Sequence, residues 1–240
     1  MTHTLVVFGD SFCCGTGLAG ADSYLREADR DTYRIEEYCD WPKLWQDSWG
    51  GLIAKRNNMH YLNLAFPGAS NMMINRKVHE FYYQHHDRLD DYVFLIFWSG
   101  KMRIEATSAH PGEEQYLRLS PLWEYNDKTL WTHHFMRMFK EFMFNEQAQE
   151  WQSFQNILSA NTLMSHNNAR YVSGFAISDT NDDHKRFLVE KFPSHTNDIE
   201  IAHWLHDSPE LIFPCYHPNI EGNLYVADAL RPWLSRIGLE

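Results

Sequence analysis

Apolar residues recur along the chain in short unbroken runs, separated by polar turns and by amphipathic stretches. Thr4–Phe8 (TLVVF) is the first run, β-branched and nearly continuous, as a strand must be when helices cover both its faces. Comparable runs fall at residues 61–66 (YLNLAF), Tyr92–Trp98 (YVFLIFW) and 170–176 (RYVSGFA), with 210–213 as a weaker fifth. Helical patterns lie between them, at Trp49–Arg56 (WGGLIAKR), at residues 72–89 and at residues 129–166, and an apolar-periodic stretch at 224–234 predicts the last helix. In the 129–166 stretch Leu130, Phe135, Met138, Phe142, Phe144, Trp151, Phe154, Ile157 and Leu158 follow a helical period, which predicts one long helix or two broken ones with these side chains in the core. Strand alternating with helix implies right-handed crossovers, and so an α/β fold with a mostly parallel five-stranded sheet between helical layers.

Two segments break this rhythm and read as insertions laid over a site. One covers 18–47, charged and aromatic without an apolar period. The other begins at Ile104, has a loop-like part to Lys128 with Pro111, Gly112 and Pro121, and extends to about residue 150. No linker, repeat or low-complexity tract divides the chain, so residues 1–240 are expected to form one domain. Apolar residues make up 44% and aromatics 15%, enough to exclude intrinsic disorder. The net charge of −11 opposes a phosphate backbone, so nucleic acid is not an expected partner. The start of the chain lacks a basic, then apolar, leader, and no apolar run reaches membrane-spanning length. Both predict a soluble cytoplasmic protein without a membrane partner. Cys13, Cys14, Cys39 and Cys215 are too few and too poorly spaced for a disulfide framework and read as thiols.

In an open parallel sheet, ligands bind beyond the carboxyl ends of the strands. Ser11 follows the first strand in Gly9-Asp10-Ser11, at a turn where backbone N–H groups can face an anion. Gly68 follows the second strand in Phe66-Pro67-Gly68-Ala69-Ser70-Asn71, where the missing side chain lets its N–H approach a ligand. His217 sits on the loop entering the last helix. An imidazole with a pKa of about 6.5 can take a serine proton and return it to a leaving group.

Taken together, Val7-Phe8-Gly9-Asp10-Ser11-Phe12, then Asn63 to Asn71, then His217-Pro218-Asn219 with Gly222, resemble blocks one, two and five of the SGNH (GDSL-type) hydrolases, in order and separation. Trp49–Arg56 looks like that family's first helix. The resemblance runs from Thr4 to about Phe97 and resumes near Tyr171. It implies a flavodoxin-like three-layer α/β/α fold and ester hydrolysis through an acyl-enzyme without a cofactor or metal. By matching position, Ser11 would be the nucleophile, His217 the base, and the Ser11 and Gly68 N–H groups two parts of the oxyanion hole. Asp10 would support the turn.

Two positions depart from the family pattern. Its third block, Gly-x-Asn-Asp, should fall at Ser99-Gly100-Lys101-Met102, where no asparagine stands. Asn71, Ser99, Lys101 and Arg103 are the candidate replacements, with Arg103 and Glu105 alternatively a structural pair. Three residues before the histidine, where the family places its orienting aspartate, stands Pro214. Either a backbone carbonyl holds the ring or a distant acid does, the candidates being Asp207, Glu210 and Asp179. Loss of the acid from such a triad can cost about 10⁴ in turnover.

The primary expectation is a serine esterase that removes a small acyl group such as acetyl from a carbohydrate or another polar small molecule, since aromatic loops and negative charge suit a neutral ligand. The alternative is a degenerate SGNH-fold module that binds a ligand or partner protein without turnover. Metal catalysis is disfavoured because the pairs His85-His86 and His133-His134 would point about 100° apart on a helix, and residues 179–184 offer no further ligand spacing. No pair of carboxylates is placed for glycoside hydrolysis. Gly15, Gly17 and Gly20 match a dinucleotide fingerprint in spacing alone, without the helix and second strand it needs, and read as a lid over Ser11. The acyl group, the acceptor and the oligomeric state stay open.

Overall fold

The computed structural model describes residues 3–19, 45–107, 116–119, 131–177, 179–213 and 216–239. Along the chain, β1 (Thr4–Phe8) leads into the short α1 (Ser11–Cys14), followed by α2 (Trp49–Arg56), β2 (His60–Asn63), α3 (Asn71–His85) and β3 (Tyr92–Trp98). Then come β4 (Ile104–Thr107), β5 (Tyr116–Leu119), α4 (Trp131–Met138), α5 (Glu146–His166) and β6 (Tyr171–Phe175). The last elements are α6 (Asp182–Lys191), β7 (Thr196–Glu200), α7 (Ile201–His206), α8 (Ile220–Ala229) and α9 (Arg231–Leu234).

Five strands form one all-parallel sheet in the order β2-β1-β3-β6-β7. Alternate residues of the central strands divide between two cores, which is why these strands read as unbroken apolar runs. Leu5, Val7, Val93, Leu95 and Phe97 pack with Trp49 and Ile53 of α2 and Val226 of α8. Val6, Phe8, Phe94, Ile96 and Trp98 pack on the other face with Ile74, Val78 and Phe81 of α3 and Ile157 and Met164 of α5. Each such buried side chain contributes roughly 1.5–3 kcal/mol. A one-residue slip would exchange the two sets between faces, so the packing of both helical layers fixes the register, with Phe8 beside Ile96. The layers are those of an α/β/α sandwich.

Several expectations need correction. Residues 210–213 do not form the fifth strand: Pro209–Leu211 is a 3₁₀ turn, and Ile212 makes a single antiparallel bridge with Pro218. The fifth strand is β7, whose Asn197 and Asp198 disguise it. Among the described residues it pairs with β6 alone, and at this edge of the sheet burial of Ile199 outweighs the poor strand propensity of its neighbours. β2 ends at Asn63, although the ladder continues through Leu64 N to Val7 O (2.8 Å) and Phe66 N to Gly9 O (3.0 Å). In the second insertion, β4 and β5 pair antiparallel with Ile104 opposite Leu119, where a loop was expected; four-residue strands are too short to show a period. The 129–166 stretch is two helices. A π turn at Phe139–Met143 ends the first, and Asn145 caps the second by accepting from Ala148 N at 2.9 Å. Of the first insertion, residues 20–44 lie outside the described residues. Gly15 is the left-handed cap of α1 (φ 81°), and Thr16–Ala19 is a 3₁₀ turn. No helix among the described residues is long and apolar enough to cross a membrane.

Candidate active site

The strand order reverses between β1 and β3, so the loops after these two strands diverge to open a crevice. On the β1 side, Asp10 caps α1: its Oδ1 accepts from Phe12 N at 3.0 Å, and its main-chain O accepts from Cys13 N and Cys14 N at 3.0 and 3.1 Å. This leaves Ser11 at the first helical position, where its N–H has no acceptor within the helix. Gly9 permits the tight turn, since a Cβ there would lie 2.4 Å from Cys13 Sγ.

After β2, Phe66-Pro67-Gly68-Ala69 closes a turn through Ala69 N to Phe66 O at 3.1 Å, and Gly68 has φ 74°. Proline before a left-handed glycine is the pattern of a type II turn, and a side chain at Gly68 would be strained. Neither the Ser11 N–H nor the Gly68 N–H bonds to another described residue. Asn71, by contrast, is fully engaged. Its Nδ2 donates to Ser99 O (2.8 Å) and Ser153 Oγ (2.6 Å), and its Oδ1 accepts from Ser99 N (2.7 Å). With both amide hydrogens occupied, Asn71 clamps the end of β3 from the start of α3 and has no donor left for an oxyanion.

Toward the loop after β3, the fully buried Asp10 accepts at Oδ2 from Ser99 Oγ at 3.0 Å and from Arg103 Nη1 at 2.8 Å. Arg103 Nη1 also donates to Ser99 Oγ at 2.8 Å. The third-block loop is thus tied to the Gly9-Asp10-Ser11 turn by an ion pair and a hydroxyl. The expected pairing of Arg103 with Glu105 does not form: Glu105 belongs to Arg76, at 2.7 Å, because β4 turns it toward α3. Asp179 lies under the same loop, where its Oδ1 accepts from Lys101 N at 2.7 Å, and burial raises its carboxyl above the usual aspartate range. Gly100 lets Asp179 approach the loop closely, since a Cβ would lie 2.9 Å from Asp179 Oδ2 and push that carboxylate aside. Lys101 itself pairs with Glu146 and Glu150 at 3.1 and 3.3 Å.

His217 is presented by a hairpin. Phe213 N donates to His217 O (2.9 Å), Tyr216 N donates to Phe213 O (2.8 Å), and the Ile212–Pro218 bridge closes the base. Pro214 and Cys215 lie outside the described residues. The His217 ring packs on Phe12, with centroids 5.1 Å apart, so residues from opposite ends of the chain share one rim. No direct hydrogen bond joins the Ser11 and His217 side chains.

None of the acids considered as orienters reaches the imidazole from the described residues. Asp207 has an 81% exposed side chain and pairs with His206 at 3.1 Å, Glu210 is exposed on the 3₁₀ turn, and Asp179 is held at the β3 loop.

A buried tether connects the two halves of the site. Trp49 Nε1 donates to Phe12 O (2.9 Å), Trp49 N donates to Asn223 Oδ1 (2.9 Å), and Asn223 Nδ2 donates to Pro218 O (3.2 Å) and Asn219 O (2.8 Å). Trp49 and Asn223 are 0% and 1% exposed. Sequence reasoning placed Trp49 in a helix and Asn223 in the histidine segment without pairing them, because no spacing signal links residues so far apart. An asparagine in an apolar helical turn was the available clue.

Residues 29–220 match the model of DUF6071, described as a family of unknown function. The chain belongs to this family. His217 lies inside the matched region and Ser11 before it. No curated protein matches the chain. Among solved structures, this DUF6071 protein resembles the psychrotrophic esterase EstA from Pseudoalteromonas sp., at TM-score 0.55 and 10% identity over 98% of this chain and 97% of that one. It resembles TesA at TM-score 0.54 and 11% identity, covering 98% and 99% of the two chains. It also resembles the acetyl xylan esterase Est2A from the rumen bacterium Butyrivibrio proteoclasticus at TM-score 0.53 and 13% identity, covering 98% and 65%. At such identity it is the fold that is shared: this DUF6071 chain has the three-layer α/β fold of these esterases, the fold that its resemblance to the SGNH (GDSL-type) hydrolases implies.

Proposed function

We propose that this DUF6071 chain is a serine ester hydrolase that removes a small acyl group, such as acetyl, from a carbohydrate or another polar small molecule. His217 takes the Ser11 proton as Ser11 Oγ attacks the ester carbonyl. The N–H groups of Ser11 and Gly68 receive the developing oxyanion, and His217 returns the proton to the leaving alcohol. Water, activated by the same imidazole, then releases the acid from the acyl-enzyme. The observation that supports this reading best is the packing of the His217 ring on Phe12, next to Ser11, with the Trp49–Asn223 tether joining the two segments and the Ser11 and Gly68 N–H groups without described partners on turns linked through Phe66 N to Gly9 O. Each donor aimed at the oxyanion is worth about 10²–10³ in turnover. Asn71 serves indirectly by fixing Ser99, and Asp10 with Arg103 holds the nucleophile turn.

The acceptor class is supported by the acidic chain and by the structural likeness to an acetyl xylan esterase. The test is labelling with a fluorophosphonate probe together with hydrolysis of p-nitrophenyl acetate. Wild-type protein should label at Ser11 and turn over the ester, and Ser11→Ala should do neither. The second reading, a binding module without turnover, draws on Pro214 in place of the acid and on the missing direct Ser11–His217 hydrogen bond. Folded wild-type protein that fails to label beside a reactive control enzyme would favour it.

A further inference from the structure

Tyr216 is the residue immediately before the proposed base, and its backbone is left-handed, with φ 62°. Glycine adopts this conformation without cost and asparagine with little, whereas a ring-bearing residue is strained there. Such strain persists where the side chain repays it through packing or through function. Packing does not explain it here. Tyr216 is 76% exposed, and the hairpin is closed by main-chain bonds, Tyr216 N to Phe213 O and Phe213 N to His217 O, which glycine would make equally well. The hairpin base is independently fixed by Asn219, whose N donates to Leu211 O at 2.9 Å. The aromatic ring is therefore open to something outside the folded chain, one residue from the proposed base.

We infer that Tyr216 is a stacking platform for the acceptor sugar, a specificity-determining residue that holds a pyranose face beside His217. An aromatic face offers the C–H surface of a neutral sugar ring apolar contact without charge. The net charge of −11 disfavours anionic competitors for the same position. Ile220 and Leu224, one turn apart on α8, are also exposed on the segment that follows. This inference rests on the esterase reading for its substrate class, and the experiment separates the two.

Tyr216→Gly removes the ring and relieves the backbone, so its Tm should be unchanged or higher. It should keep the wild-type kcat/KM for ethyl acetate, whose alcohol part is too small to stack on a ring. For acetylated xylo-oligosaccharides its KM should rise about tenfold, equivalent to about 1.4 kcal/mol of binding. Tyr216→Trp should retain the wild-type KM. Equal losses on both esters, or an oligosaccharide KM unchanged in Tyr216→Gly, would overturn the inference. If wild-type protein neither labels with fluorophosphonate nor hydrolyses either ester, the esterase reading fails. Calorimetric titration with the same oligosaccharides then decides on Tyr216: tighter binding by wild type than by Tyr216→Gly upholds the platform, and no difference ends it.

Discussion

Replacing Arg103 by methionine removes the cation from a carboxylate with no exposed surface. Asp10 keeps Phe12 N on Oδ1 and Ser99 Oγ on Oδ2 but loses the 2.8 Å bond from Arg103 Nη1, while Ser99 Oγ loses the same donor. Breaking one side of a buried ion pair costs about 3–5 kcal/mol. The Arg103 side chain is 17% exposed, so water partly compensates and the lower end, about 3 kcal/mol, applies. For a chain of this size that corresponds to a fall in Tm of roughly 6–12 °C. Asp10→Asn/Arg103→Met removes both charges while Asn Oδ1 still accepts from Phe12 N and Nδ2 donates to Ser99 Oγ, so most of the loss should return. A four-protein urea denaturation cycle reads the coupling directly, and about 2 kcal/mol or more is expected. Ester turnover should follow the same ranking, because the pair anchors the turn that carries Ser11. Additive single effects, or an Arg103→Met cost under about 1 kcal/mol, would refute the argument that this ion pair holds the crevice together.

Ser11→Ala should abolish p-nitrophenyl ester hydrolysis and fluorophosphonate labelling while changing unfolding free energy by less than about 1 kcal/mol, since a single hydroxyl without a structural bond is removed. Asn223→Ala should cost about 2–3 kcal/mol, as Trp49 N and the Pro218 carbonyl lose buried partners. It should also lower kcat more than it raises KM. A proportional change in active-site titre alone would reduce Asn223 to a folding role. Asp179→Asn tests the raised carboxyl. Because the folded state holds this proton more tightly than the unfolded chain, the acid favours stability below the unfolded value of 3.8 and loses it as pH rises through the folded one. The variant, which still accepts from Lys101 N, should therefore exceed wild type at pH 7. Its advantage should shrink on acidification, and a constant or growing difference would contradict the burial argument.

The sequence determined by itself whatever rests on local pattern. Continuous apolar runs at Thr4–Phe8 and Tyr92–Trp98 announced strands covered on both faces, and WGGLIAKR gave a helix with the observed bounds, because two-sided burial and helical period are written in neighbouring residues. The turn chemistry of Gly9-Asp10-Ser11 and of Pro67-Gly68 was legible for the same reason: caps and left-handed glycines are short-range demands. β7 escaped because edge pairing and the burial of Ile199, rather than its own composition, make TNDIE a strand. The assignment of partners was decided only in three dimensions. Arg103 chose Asp10 over Glu105, Asp179 went to the Lys101 amide, Asn71 spent its amide on Ser99, and Trp49 met Asn223. A hydrogen bond or ion pair depends on angstrom distances set by the packing of whole layers, and such distances leave no period in the chain that folds into them.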